Sequence, residues 1–400
     1  MISANSKARP ISRRAGGHQS DSSHLVARPE NYFHSAHGFR ANSVVPSGPP
    51  PRRWVRTSDS NAKRRTSPLT PASRPTCNIV KRSAWPAPLR RAVEVPRFLW
   101  HLACWGRPSR ALLFGPLSLG DDLLCTTVLH EARRRGQLLT MMTARPELFL
   151  GNPDPARLLP IDAYYIRGVK KLGAEIIHPH YTRPHPTDPH RDLLPSRHII
   201  AEMCHLAGLT GTVTLRPYLK LTADEREAGR RVERQIAIHS TGLGAAIPYV
   251  TKEWGADRFA SVVGALGQEF NFVQLGSASD PALPGALDLR GRTNLREAAA
   301  VLAQSVCFVG LEGFLVHLAR AVDCPSVVLF GGRAGPETFG YPANINLSTP
   351  VECSPCGLRE GCPHEMKCMT PISVEHTVAA IREIIARPPG PLAVATASLP

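Results

Sequence analysis

The chain has 400 residues, with 48 Lys and Arg against 32 Asp and Glu, and the imbalance is uneven: residues 1–97 hold 18 basic and 4 acidic side chains, leaving 30 and 28 beyond. A body so near neutrality excludes a nucleic-acid surface spread over the whole protein, and the length suffices for two domains of roughly 100 to 200 residues. Near Met1 there is neither the apolar core of a signal peptide nor the run of about 20 residues of a spanning helix, so the expected location is cytoplasmic.

Residues 1–97 are rich in Arg, Pro, Ser and His and lack apolar periodicity, as in Lys63-Arg-Arg-Thr-Ser-Pro68. A disordered basic extension is expected there, either native or upstream of the true start. Such a tail can touch anionic lipid, which leaves room for a peripheral contact at the inner face of the cytoplasmic membrane. From residue 98 to 222 strands and helices alternate. Ala111 to Phe114 reads as a buried strand and Gly115 to Gly120 as its turn. Asp121 then opens a helix with Leu123, Leu124 and Val128 at helical spacing. That helix carries Arg133 to Arg135 in its last turn and Gly136 beyond, as the dipole and the C-terminal cap favour. Leu138 to Met142 gives the next strand. The stretch 146–195 is heavy in Pro, His and Tyr and yields no clear element; Ile199, Met203, Leu206 and Leu209 predict one more helix.

The segment 223–390 repeats the alternation. Strands are predicted at Ile236 to His239, Phe272 to Leu275, Cys307 to Val309 and Ser326 to Phe330. Between the first two lies a helix on Phe259, Val262, Val263 and Leu266; Asn294 and Glu297 make a capping box for the next helix, and Ser373 caps a last one on Val374, Val378, Ile381 and Ile385. Residues 391–400 read as a disordered tail. Alternating strands and helices imply parallel sheets with right-handed crossovers, and two such sheets face to face place a ligand in the cleft at the carboxyl ends of their strands.

Several residues carry candidate chemistry. Asp121, after the first strand, suits a general base, although on spacing alone a helix cap is the simpler reading. Ser240 and Thr241, in a Gly-containing turn after a strand, offer hydroxyls and amides to phosphate, and Lys252 a cation for a diphosphate. Glu312 and Gly313 begin the helix bearing His317, where a carboxylate could accept from sugar hydroxyls; His317 is equally a core histidine. Ten cysteines are present, and the last four, Cys353, Cys356, Cys362 and Cys368, are spaced C-x2-C-x5-C-x5-C. Thiolates so clustered suit a structural zinc or iron, with free or bridged thiols as the alternative, while the scattered body cysteines read as core thiols.

Taken in order, Ser118-Leu-Gly-Asp121, Lys252-Glu-Trp254, Val309-Gly-Leu-Glu312-Gly-Phe-Leu-Val-His317-Leu-Ala and Cys353-Ser-Pro-Cys356 closely resemble glycosyltransferase family 9, the ADP-heptose heptosyltransferases, over roughly residues 108 to 386. The resemblance implies a GT-B-like fold of two Rossmann-like domains and no catalytic metal. It also implies inverting transfer of heptose from ADP-heptose to a hydroxyl of lipopolysaccharide core, another glycan, a glycolipid or a protein. By motif, Asp121 becomes the base, Thr241 and Lys252 diphosphate contacts, and Glu312 to His317 the donor-sugar and phosphate loop. The family usually has Asp-Thr-Gly or Asp-Ser-Gly where this chain has Glu312-Gly313-Phe314, which keeps a UDP- or GDP-sugar enzyme open as an alternative. A scaffold that binds nucleic acid through the cysteine knuckle is the rival from another class. It is poorly served, because between Cys353 and Cys368 only Arg359 and Lys367 face Glu360 and Glu365, with no Phe, Tyr or Trp.

Overall fold

The computed structural model describes residues 87–400 apart from 117, 118, 246 and 389, and the side chains from 93 onward. The expected extension up to residue 86, and Ser118 of the first motif, lie outside the described residues. The expected boundary near residue 98 moves, because Ala87–Trp105 is already helix α1.

The first half continues with β1 (Arg110–Leu112), α2 (Leu119–Arg134), β2 (Thr140–Met142), β3 (Arg157–Leu159), α3 (Ala163–Lys171), β4 (Glu175–Ile177), β5 (Arg183–Pro184), β6 (Asp192–Leu193), α4 (Ile199–Leu206) and β7 (Gly211–Thr214). The second half holds α5 (Ala223–Ala228), β8 (Gln235–His239), α6 (Ala256–Leu266), β9 (Asn271–Gln274), β10 (Ala286–Asp288), α7 (Leu295–Ala303), β11 (Cys307–Leu311), α8 (Phe314–Ala321), β12 (Ser326–Phe330), α9 (Pro336–Phe339), β13 (Ile345–Ser348), α10 (Val374–Ala386) and β14 (Thr396–Leu399).

Both main sheets are parallel. The first runs β3-β2-β1-β4, and the second β10-β9-β8-β11-β12-β13. In each, the chain first builds outward from the founding strand and then crosses to its other side, so a switch point opens between β1 and β4 and another between β8 and β11. Open α/β sheets bind ligands at the carboxyl ends of the strands flanking such a point.

Period-two alternation explains the layering. In β8, Ile236 and Ile238 pack with Phe259 and Val263 of α6 and Ile381 of α10, while Ala237 faces the other way, toward α7 and α8. In β1, Ala111 faces the α1 and α3 layer through Tyr165 and Val169, and Leu112 faces α2 and α4. The α2 and α4 layer meets the α7 and α8 layer in one continuous apolar cluster, from Leu123 and Ile199 to Val316 and Leu318. The two halves therefore share a core along α2 and α8 rather than touching only at a rim.

Polar residues inside α2 are each bonded. Thr127 Oγ1 donates to the Arg216 carbonyl at 2.6 Å, and buried Glu131 accepts from Arg135 Nη1 at 2.6 Å and from the Thr214 amide at 3.0 Å. Capping follows the sequence: Asn294 and Glu297 form the full capping box of α7, and the His376 amide donates to Ser373 Oγ at 3.2 Å at the start of α10. Six strands build the second sheet where four were expected, because β10 and β13 are edge strands without a continuous buried run. The expected tail at 391–400 is corrected: Thr396–Leu399 pairs antiparallel with Gly211–Thr214, and Leu399 is buried against the shared core. No helix among the described residues is long and apolar enough to cross a membrane.

Candidate active site

The first turns of α2 and α8 face each other. A Cβ built at Gly120 would lie in ordinary contact, 3.7 Å from Phe314 Cα and from His317 Cδ2, so Gly120 sits against the start of α8 rather than baring backbone to a ligand. Asp121, one residue on, accepts from the hydroxyl of Tyr181 at 2.7 Å. Asp121 follows β1 and Tyr181 follows β4, so the bond spans the switch point of the first sheet. Burial, then the charge of Asp121, pushes the Tyr181 hydroxyl well above its ordinary range, which keeps it a donor. The Tyr181 ring also meets Phe339 of the second half edge-on, with centroids 5.8 Å apart.

Neighbouring Asp122 points the other way. It is fully buried and accepts from Thr143 Oγ1 at 2.8 Å, with Arg145 Nη1 at 3.5 Å. Burial pushes its carboxyl up to about 6 from 3.8, against the opposing pull of Thr143 and Arg145. Ionising it therefore costs the folded state, by nothing below the ordinary value and in full once pH exceeds about 6, of order 3 kcal/mol. Asp122→Asn keeps an acceptor for Thr143, and it is expected to raise the melting temperature at pH 8 but not at pH 4; thermal unfolding at the two values checks this. An unchanged difference across that range would dismiss the buried carboxylate as a source of strain.

At the second switch point, Ser240 and Thr241 follow β8, and Glu312 and Gly313 follow its neighbour β11. Both hydroxyl residues are buried: Thr241 Oγ1 accepts from the Leu243 amide at 3.1 Å, and Ser240 Oγ lies 3.5 Å from Gln274 Nε2. Gly313 caps α8, and a Cβ there would meet nothing within 4 Å, so there is open space beside the start of α8. Lys252 forms an ion pair with Glu312, their side chains only 14% and 7% exposed. Burial works against the charge of Glu312, yet Lys252 and then Arg333 hold its carboxyl below the usual range. Lys252 is lowered by burial and by Arg333, with Glu312 opposing. Two cations thus flank one carboxylate.

Arg333, just after β12, is buried and missed by sequence reasoning. Its Cζ stacks 4.0 Å from the Tyr249 ring centroid, and its Nη2 donates to Asp192 Oδ2 at 2.6 Å, fastening β6 of the first half to the second. His317 shares a 2.8 Å hydrogen bond with the Tyr341 hydroxyl through Nδ1, and burial drives its pKa down to about 4, so it is neutral near pH 7. The structure thus brings Asp121, Lys252, Glu312 and His317 together, while Thr241 is turned into its own loop and Ser240 toward Gln274 of β9.

Cys353, Cys356, Cys362 and Cys368 line one cavity of about 310 Å³ together with Arg333, His364 and Met366. All four are free thiols, and among the described residues no three His, Cys, Asp or Glu side chains are grouped to hold a metal ion. The donor chemistry suits zinc or iron, and the four thiols share one cavity without being grouped to hold a metal ion. Backbone bonds organise the loop instead: the Cys356 amide donates to the Gly332 carbonyl at 2.7 Å, and the Asp192 amide to that of Gly357 at 2.9 Å. Spacing signalled proximity but not convergence.

Residues 214–366 match the family model of glycosyltransferase family 9 (heptosyltransferase). None of the curated proteins compared matches the chain. Among solved structures, the family 9 glycosyl transferase from Veillonella parvula DSM 2008 superposes with a TM-score of 0.53 at 17% identity, covering 69% of this chain and 97% of that one. The E. coli ADP-heptose lipopolysaccharide heptosyltransferase II gives 0.52 at 15%, covering 69% and 98%. The iron-containing dodecameric glycosyltransferase TibC from enterotoxigenic E. coli H10407 gives 0.53 at 16%, covering 70% and 78%. At these identities the likeness establishes the GT-B-like fold, and the sequence match to the family is confined to residues 214–366. Over residues 214–366 the chain is thus similar to glycosyltransferase family 9, and the protein is a glycosyltransferase.

Proposed function

We propose that the protein transfers a heptose-type sugar from ADP-heptose, with inversion, to a hydroxyl of a lipopolysaccharide core, another glycan, a glycolipid or a protein. The observation that carries this reading is the meeting of the two switch points, which sets the Asp121 carboxylate beside a Lys252, Glu312 and Arg333 charge cluster in a family 9 setting. In the proposed step, Asp121 takes the proton of the acceptor hydroxyl as its oxygen bonds to the anomeric carbon. The bond from that carbon to the diphosphate breaks, and the diphosphate leaves with its electron pair. Lys252, Arg333 and the amides at the start of α8 neutralise the leaving group. Glu312 and His317 border the sugar. No cofactor takes part in this step, and the cysteine loop enters it only by holding Arg333 in place.

The test is thermal. The melting temperature measured with ADP, UDP, GDP and CDP is expected to rise selectively with ADP, since a ligand at about 100 times its dissociation constant adds about 2.7 kcal/mol. A preference for UDP or GDP would replace the donor, and no shift with any of them would remove the nucleotide-sugar reading altogether.

A further inference from the structure

Helix α1 is apolar on both sides. Its inner face, with Phe98, Leu102 and Trp105, packs on α3 and the first sheet. Its outer face presents Val93, Val95, Leu99 and Trp100, and Trp100, at 69%, is the most exposed large apolar side chain among the described residues. One such residue on a surface is ordinary, but a cluster within eight positions of one helix is an uncovered face.

The rim of that face is basic along its length. Arg167 pairs with Glu94 at 3.9 Å, Arg97 stands 5.2 Å from the Tyr164 ring centroid, and Arg107 and Arg157 bond to backbone carbonyls at Leu172 and Trp105. Lys170 and Lys171 add two exposed ammonium groups in the last turn of α3. The nearby acids are already engaged: Asp162 with Arg97, Glu94 with Arg167 and Glu175 with Arg110. Charge decides the occupant. A second copy would set this basic rim against itself, and residues 1–86 of the same chain carry 15 Lys and Arg against 3 Asp and Glu. An anionic surface with an apolar interior suits both the rim and the face.

We infer that α1 docks on anionic lipid bilayers, lying in the plane of the interface with Leu99 and Trp100 inserted below the headgroups and the arginines and lysines of its rim against lipid phosphates. Amphipathic interfacial helices use this combination of buried apolar area, basic residues and an interfacial Trp. The inference does not depend on which sugar is transferred.

The test is cosedimentation of the full chain with vesicles of phosphatidylcholine alone and of phosphatidylcholine with phosphatidylglycerol. Binding is expected to the anionic vesicles only, to weaken with salt, and to fall by about tenfold or more in the double variant Leu99→Glu/Trp100→Glu. The ADP-induced melting shift, measured alongside, is expected to stay as in the parent and shows that the variant is folded. The proposal is overturned if the variant binds as the parent does, which would assign binding to the basic residues before α1. Equal binding to neutral vesicles, or no binding at all, also overturns it. A dimer of the parent that becomes monomeric in the variant would assign the face to a second copy instead.

Discussion

Replacing Asp121 with Asn is expected to slow transfer by about 10²- to 10⁴-fold, the usual contribution of a positioned base, while leaving the ADP-induced melting shift nearly unchanged. The separation follows from geometry. An amide oxygen at position 121 can still accept from Tyr181, so the bond across the first switch point survives and the start of α2 stays in place against α8. Only the capacity to take a proton is lost. Single-turnover transfer from ADP-heptose and nucleotide binding, measured on the same preparation, give the two halves of the result. Turnover within a few-fold of the parent would remove Asp121 from the chemistry. Asp122→Asn is the built-in control, since its carboxyl is turned toward Thr143 and away from the site.

The pair Lys252 and Glu312 predicts effects of opposite sign on nucleotide binding. Removing one partner of a buried ion pair costs about 3 to 5 kcal/mol, because the other charge is left desolvated without compensation. Glu312→Gln leaves Lys252 without its ion-pair partner while Arg333 keeps Asp192, and Lys252→Met leaves a buried carboxylate with Arg333. Both variants are expected to melt lower than the parent in the absence of ligand. A diphosphate brings back the missing negative charge in the first and meets one cation fewer in the second. The ADP-induced shift is therefore expected to grow in Glu312→Gln and to shrink in Lys252→Met. Equal shifts in the two variants would mean that the cluster is a structural pair and not a seat for phosphate.

What could be read from the sequence, and what could not, follows from where each residue stands. Asp121 and Glu312 each follow a buried apolar run and open a helix, a local pattern with a functional meaning in any α/β fold. Lys252 lies in a short turn whose place only the family motif indicated. Tyr181 follows β4, three residues long and set in a stretch rich in Pro and His, so no periodicity marks it. Arg333 follows a readable strand, but its partners Asp192 and Tyr249 belong to distant segments, and only the closed tertiary structure joins them. The cysteines were legible as neighbours because spacing limits separation; spacing says nothing of where each Sγ points. Thr396–Leu399 carries one large apolar residue, and its strand exists because β7 offers it an edge.

That last pairing bears on synthesis. Helix α4 packs against both β7 and β14, so a segment of the first half is finished by residues translated almost 200 positions later. On the ribosome the edge of Gly211–Thr214 has nothing to pair with while the whole second sheet is being made, and an unpaired edge is the part of a nascent chain most open to wrong partners. The order of translation thus differs from the order of completion: the half begun first is the last to be sealed.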